Sequence, residues 1–226
     1  MAAFVVTLIV LLGIATAIWF TWRCRSRKQL LPCPAAISWL VELENPLARV
    51  TRSASILRQL DPGAGDCIAD IGCGPGRVTI PLAHAVGPDG EIMAIDVQTE
   101  MLTRIGEKAK QQRLSNIHLL LCDARDQHLP DESLDGAVMV MALGEVPEAR
   151  RLFPVIHAAL KEHGRLLIGE SMFDPHYVSK EKIVEMAQAA GFIERSHAGN
   201  FFAYVTVFEK HTYQTKNLRF PVTRLA

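Results

Sequence analysis

Three acidic positions and a run of glycines are spaced for one kind of chemistry, the gripping of a nucleoside and the charged group joined to it. In Cys67-Ile-Ala-Asp-Ile-Gly-Cys-Gly-Pro-Gly-Arg-Val-Thr-Ile80, glycine takes every second position at Gly72, Gly74 and Gly76, and Asp70 stands two residues before the first. Glycines in such a loop admit backbone angles closed to other residues and leave no Cβ between the chain and a ligand pressed against it. The apolar run 92–95 then ends in Asp96, where a carboxylate can accept hydrogen bonds from both hydroxyls of a ribose. A third run, 117–122, ends in Asp123-Ala124 and puts another carboxylate on the same edge.

The loop departs from the dinucleotide fingerprint, which wants glycine where Arg77 stands and an apolar residue where Asp70 stands. Asp70 is unfavourable beside a pyrophosphate and favourable beside an ammonium. An NAD(P)-dependent Rossmann oxidoreductase is therefore the weaker reading, and a tethered cofactor-binding module without turnover is the non-enzyme alternative. Asp70-Ile-Gly72-Cys-Gly74-Pro-Gly76 resembles the first motif of the class I S-adenosylmethionine-dependent methyltransferases, an acid, any residue, then Gly-x-Gly-x-Gly. The resemblance runs from about Pro62 to Lys210 and is strongest to the quinone-biosynthesis-like branch, through Asp96, Asp123-Ala124 and Leu129-Pro-Asp-Glu-Ser-Leu-Asp135.

That resemblance implies S-adenosyl-L-methionine as cofactor, with S-adenosyl-L-homocysteine as product. It implies that Asp70, Gly72, Gly74 and Gly76 meet the methionine end, Asp96 the ribose, and Asp123 and Ala124 the adenine, with Val97 packed on the ring. Met141-Ala-Leu-Gly-Glu145 would stand where the reactive methyl points. A sulfonium is already a good leaving group, so the protein mainly has to hold a nucleophile in line with the methyl carbon. A general base is needed only if the acceptor arrives protonated. Glu145 is the first candidate, followed by Glu170, His176, Tyr177 and Tyr204.

The elements that must position these residues alternate strand and helix at the spacing of a parallel sheet covered on both faces. Strands are expected over 67–71, 92–95, 117–122, 136–141 and 165–170. Helices are expected over 47–60, 78–86, from Gln98 or Thr99, over 148–160 with Gly164 as its cap, and over 180–190 with Gly191 as its stop. Strands 192–195 and 201–208 are too close for a crossover helix and must be antiparallel. The resemblance implies a Rossmann-like α/β fold, a seven-stranded mostly parallel sheet with one antiparallel strand, and the sequence adds an N-terminal transmembrane helix.

That helix is read from residues 2–22, which carry no charge and at about 1.5 Å each span about 30 Å, the thickness of a hydrocarbon core. Trp19, Phe20 and Trp22 sit at one end, followed by Arg23, Arg25, Arg27 and Lys28, which place that end in the cytoplasm. A cleaved secretory signal, for which Ala15-Thr-Ala17 offers a site, carries its charge before the apolar run instead. The expected organisation is an anchor and basic flank over 1–28, linker and cap helices over 29–60, the cofactor-binding domain over 61–210, and a basic tail over 211–226. The expected protein is a single-pass membrane protein with its catalytic domain facing the cytoplasm and a small, hydrophobic or lipid-phase acceptor.

Lys and Arg number 24 and Asp and Glu number 24, so no net field recruits nucleic acid. Cys24, Cys33, Cys67, Cys73 and Cys122 lack metal-site spacing, and no metal is expected; Cys67, Cys73 and Cys122 read as buried thiols at strand ends. A Gly-x-Ser-x-Gly elbow and a phosphate-binding Gly-Lys-Ser/Thr are both missing, which removes the hydrolase and P-loop readings. His84, His118, His157 and His163 read as structural, and His128 stands nearer the expected cofactor edge.

Overall fold

The computed structural model describes residues 2–29, 48–123 and 129–211. Its elements are α1 (Ala2–Gln29), α2 (Ser53–Leu60), β1 (Cys67–Ile71), α3 (Thr79–Val86), β2 (Glu91–Asp96), α4 (Thr99–Gln112), β3 (Ile117–Leu121), β4 (Leu134–Val140), α5 (Leu152–Ala159), β5 (Leu160–Ser171), α6 (Lys180–Ala189), β6 (Phe192–Gly199) and β7 (Ala203–Lys210). The seven strands lie in the order β3-β2-β1-β4-β5-β7-β6. All pairings from β3 to β5 are parallel, and β7 runs antiparallel to both β5 and β6. This is the seven-stranded, mostly parallel sheet expected from the sequence.

Burial explains the parallel half. β1 and β4 are buried almost end to end, because helices cover both faces and leave no wet side for alternation. Along β4, Ala137 and Met139 join Phe153, Ile156 and Ile183 on one face, while Val138 joins Ile56, Leu82 and Val207 on the other. The chain leaves β1 towards β2 on one side and later returns to place β4 on the other. The carboxyl ends of β1, β2 and β4 therefore flank the crevice where open α/β sheets bind ligands.

Three sequence expectations are corrected. The helix expected over 148–160 begins only at Leu152, after Glu148 takes a left-handed φ of 51° and Ala149–Arg151 form a 3₁₀ turn. It stops at Ala159, because Leu160 already pairs with Leu134 in the sheet. Gly164 is thus no helix cap; it lies inside β5, where the register shifts and His163 carries the left-handed backbone at φ 64°. The helix expected over 47–60 begins at Ser53, behind a 3₁₀ turn at Arg49–Thr51.

α1 is 28 residues long, and its Phe4, Ile9, Val10 and Phe20 side chains are exposed. Several other α1 side chains lie outside the described residues, among which no helix is long and apolar enough to cross a membrane. The transmembrane helix expected over 2–22, within the anchor and basic flank of 1–28, thus gains no support from the described residues. Residues 30–47, which include Cys33 and most of the expected cap, and residues 212–226 of the basic tail also lie outside them.

The reversed strand is fastened at its far end by charge. Glu209 on β7 accepts hydrogen bonds of 2.8 and 2.7 Å from Arg195 on β6 and lies 2.9 Å from the His163 ring. The Arg195 hydrogen bonds, with His163 assisting, hold its carboxyl down at about 2. A depressed carboxylate contributes stability that is present above the unfolded-state value of about 4.3 and is lost as pH falls through the folded value. Replacing Glu209 with Gln should therefore lower the urea midpoint at pH 7 and make its decline between pH 4.5 and pH 2 shallower than in the unsubstituted chain. Parallel pH profiles for the two proteins would refute this account.

Candidate functional site

β1 delivers Asp70 to the floor of the crevice, 3% exposed. Its Oδ2 accepts a 2.6 Å hydrogen bond from the Thr79 hydroxyl at the start of α3. Burial pushes the carboxyl up to about 6; the Thr79 hydrogen bond and the Arg77 charge work against the rise, and Asp96 adds to it. Asp70 is therefore poised between its neutral and charged forms near neutral pH, where a cation brought alongside would favour the charged form.

The three loop glycines share left-handed angles of 69°, 52° and 88° but serve different ends. A Cβ on Gly72 would collide with the Ala142 side chain after β4, and one on Gly76 would stand 2.8 Å from Ile105 of α4. These two glycines let neighbouring elements close on the loop. A Cβ on Gly74 would meet nothing within 4 Å, so here the loop borders open space.

Asp96, at the tip of β2, clasps this loop. Its Oδ2 accepts the Gly74 N–H at 2.9 Å and its Oδ1 the Gln98 N–H at 2.9 Å. Burial raises its carboxyl, and the backbone donors of Gln98 and Gly74 oppose that. Each carboxylate oxygen keeps a further lone pair for a ligand. Val97 beside it is 56% exposed, a large apolar side chain on the rim of the crevice. The Cys122 N–H donates to the Asp96 carbonyl at 3.1 Å and brings Asp123 to the same edge, while Ala124 and His128 lie outside the described residues.

On the other side of the crevice, Met141 leaves β4 at φ 55° with its N–H donated to the Gly169 carbonyl at 2.8 Å. A left-handed methionine is an uncommon conformation of the kind found where a site imposes it. The bend sends Leu143–Glu145 into a 3₁₀ turn. Glu145 Oε1 then lies 3.5 Å from Nδ1 of the buried His176, and Asp174 Oδ1 lies 3.8 Å from the same nitrogen. A Cβ on Gly144 would land on the His176 carbonyl oxygen, so the two loops touch backbone to backbone.

Asp70, Asp96 and the glycine loop, singled out in the sequence, thus meet at one edge, and Glu145 joins His176 across from them. Tyr204 and Glu170 stand directly opposite each other on β7 and β5. Sequence reasoning missed Thr79 and Asp174. Thr79 opens the helix after the loop, and Asp174 heads Asp-Pro-His, whose Asx-type turn forms with the His176 N–H on Asp174 Oδ1 at 2.7 Å. Cys73 is buried, with its thiol pushed up by burial and by Asp70 and Asp96, but Cys67 and Cys122 are only half-buried because they sit at the open ends of their strands. Among the described residues no group of three or more His, Cys, Asp or Glu could hold a metal ion.

Residues 68–164 match the family model of a methyltransferase domain. Demethylmenaquinone methyltransferase from Lactobacillus johnsonii is 36% identical over 117 residues, which are 50% of this chain and 47% of that protein. Nocamycin O-methyltransferase from Saccharothrix syringae is 32% identical over 127 residues, 56% of this chain and 41% of that protein. The chain thus spans less than half the length of these relatives. Among solved structures, an S-adenosylmethionine-dependent methyltransferase from Aquifex aeolicus superposes with a TM-score of 0.69 at 20% identity, covering 78% of this chain and 98% of that one, a likeness of fold. Over residues 68–164, therefore, the chain is similar to methyltransferase domains, and its fold is like that of the solved S-adenosylmethionine-dependent enzyme.

Proposed function

We propose that the whole chain is a membrane-anchored methyltransferase that moves a methyl group from S-adenosyl-L-methionine to a small, hydrophobic or lipid-phase acceptor. The observation that carries this reading is the open space at Gly74, bordered by Asp70 and Asp96 at adjacent strand tips. It is a cradle that a single Cβ would begin to fill. Asp70 suits the ammonium of the methionine end, Asp96 the ribose hydroxyls, Asp123 with Ala124 the adenine, and exposed Val97 one face of the ring.

Bound there, S-adenosylmethionine would supply an activated methyl group on a sulfonium. The chain's own work is then to hold the acceptor and to exclude water. Met141–Glu145 form the wall on the acceptor side. Where the acceptor atom carries a proton, Glu145 takes it as the new bond forms and passes it to solvent, with His176 beside it to share the charge. The relatives named for demethylmenaquinone and for O-methylation of nocamycin support a small-molecule acceptor.

The membrane reading is supported by the uncharged run from Ala2 to Trp22, by the exposed apolar side chains of α1, and by the basic residues Arg23, Arg25, Arg27 and Lys28 that follow it. A single-pass anchor over 1–28 with the domain over 61–210 on the cytoplasmic side would keep a lipid-phase acceptor at high effective concentration. Residues 29–60 would then link and cap the site, and 211–226 would form a basic tail.

Calorimetry tests the cofactor. S-adenosylhomocysteine should bind the full chain, while NAD(H) should give no heat; the reverse result would favour the oxidoreductase. Because Asp70 titrates near 6 and an ammonium favours its charged form, affinity should fall by about tenfold from pH 7 to pH 5. Replacing Asp70 with Asn should weaken binding at pH 7 and flatten that slope, and an equally steep slope in the variant would place the ammonium elsewhere. Methyl-labelled S-adenosylmethionine incubated with the membrane fraction should put label into extractable small molecules, and label confined to protein or nucleic acid would refute the acceptor class.

A further inference from the structure

We infer that Glu170 and Tyr204 form a positioning pair that fixes His176 against Glu145 on the acceptor side of the site. This rests on the reading of Glu145 and His176 as the groups that face the acceptor. The two side chains belong to different strands but to one register position, Glu170 of β5 opposite Tyr204 of β7, so they rise from the same face of the sheet. Both are buried.

They close on a single residue of the loop between β5 and α6. The Val178 N–H donates to Glu170 Oε2 at 3.3 Å, and the Tyr204 hydroxyl donates to the Val178 carbonyl at 2.6 Å. Both main-chain groups of Val178 are thereby taken by side chains rooted in the sheet. The other end of the loop is tied by the Met172 N–H on the Phe202 carbonyl at 2.9 Å and the Asp174 N–H on the Ser171 carbonyl at 2.9 Å. Between these ties lies His176, its carbonyl pressed on Gly144 and its ring 3.5 Å from Glu145. Releasing Val178 would free the side of the loop that sets the height and tilt of that ring.

Packing alone does not account for Glu170. At 1% exposure its Oε1 is buried with no hydrogen-bond partner among the described residues, a placement that costs stability and that a leucine would avoid. Burial drives its carboxyl well above the ordinary range, and the charges of Asp174 and Glu145 add to the rise. Burial thus favours its uncharged form, whose Oε2 still accepts the Val178 N–H. Glu145 and Asp174 are the carboxyls that lie beside His176. Tyr177 adds an edge-on ring contact to Tyr204 at 6.0 Å, which helps hold the phenol in place.

The test uses the full chain in detergent micelles with histidine labelled at Cε1, the His176 signal being identified by its loss in His176→Gln. Glu170→Gln keeps a neutral acceptor of the same shape and should leave the chemical shift and titration midpoint of His176 as they are. Glu170→Ala and Tyr204→Phe should each move the signal towards that of an exposed histidine and shift its midpoint, with affinity for S-adenosylhomocysteine staying within about twofold. If Glu170→Ala fails to fold, Tyr204→Phe, which removes one hydroxyl, decides the matter. An unchanged His176 in Tyr204→Phe, or a Glu170→Gln signal displaced as far as the alanine variant's, overturns the inference. Failure of the unsubstituted chain to bind S-adenosylhomocysteine counts against the proposed function and leaves the His176 comparison readable.

Discussion

The site depends on one buried carboxylate that ties two strand tips together. Asp96 takes an N–H from Gly74 on one oxygen and from Gln98 on the other, and it joins segments more than twenty residues apart in sequence. The clasp closes only because β1 and β2 pair in parallel with Ile71 beside Ile95, which also receives the Gly72 N–H on its carbonyl at 2.8 Å. A hydrogen bond to a charged acceptor is stronger than a neutral one, and in a partly desolvated place the loss of either partner costs more still. The loop is thus held in shape by the same residue to which the proposed function gives the ribose. A residue with both duties needs spare acceptor capacity, and a carboxylate has it where an amide would have less.

Opposing demands on charge run through the crevice. Burial raises both Asp70 and Asp96, and the Asp96 charge adds to the rise at Asp70. The protein leaves this partly unrelieved: Arg77 lowers Asp70 somewhat, yet donates at 2.7 Å to the Thr51 carbonyl, fastening the segment before α2 to the loop. A site that neutralised Asp70 fully would have nothing left to offer a cation. Leaving it near 6 keeps the folded chain tolerable without a ligand and favourable with one.

The clustering of Asp70, Asp96 and the glycine loop was legible in the sequence because it is local. Asp70, three glycines and the helix start fall within one short stretch, and the acids at 96 and 123 sit at the ends of apolar runs whose length sets the strand. The grouping around His176 was not legible, because contact made it. Glu145, Glu170, His176 and Tyr204 stood out singly as polar residues near strand ends, but only the register of β5 against β7 shows that Glu170 faces Tyr204, and only the close approach at Gly144 brings His176 to Glu145. The misplaced helix boundary has a related cause. Residues 148–160 read as one helix, and the competing demand, Leu160 pairing with Leu134, comes from a strand more than twenty residues earlier.

The reversed strand explains why the two halves differ. A parallel seventh strand would need a crossover and would set its start at the opposite edge, far from the crevice. Running β7 backwards starts it at the carboxyl edge, with Ala203 beside Ser171 and Tyr204 beside Glu170. Side chains from the end of one strand and the beginning of another then meet over the same loop. The parallel strands build the crevice around the glycine loop, and the one antiparallel strand supplies the second grip on the loop that carries His176. Variation in β7 and in the loop it holds can therefore alter the His176 side of the crevice while the glycine loop and its clasp stay as they are.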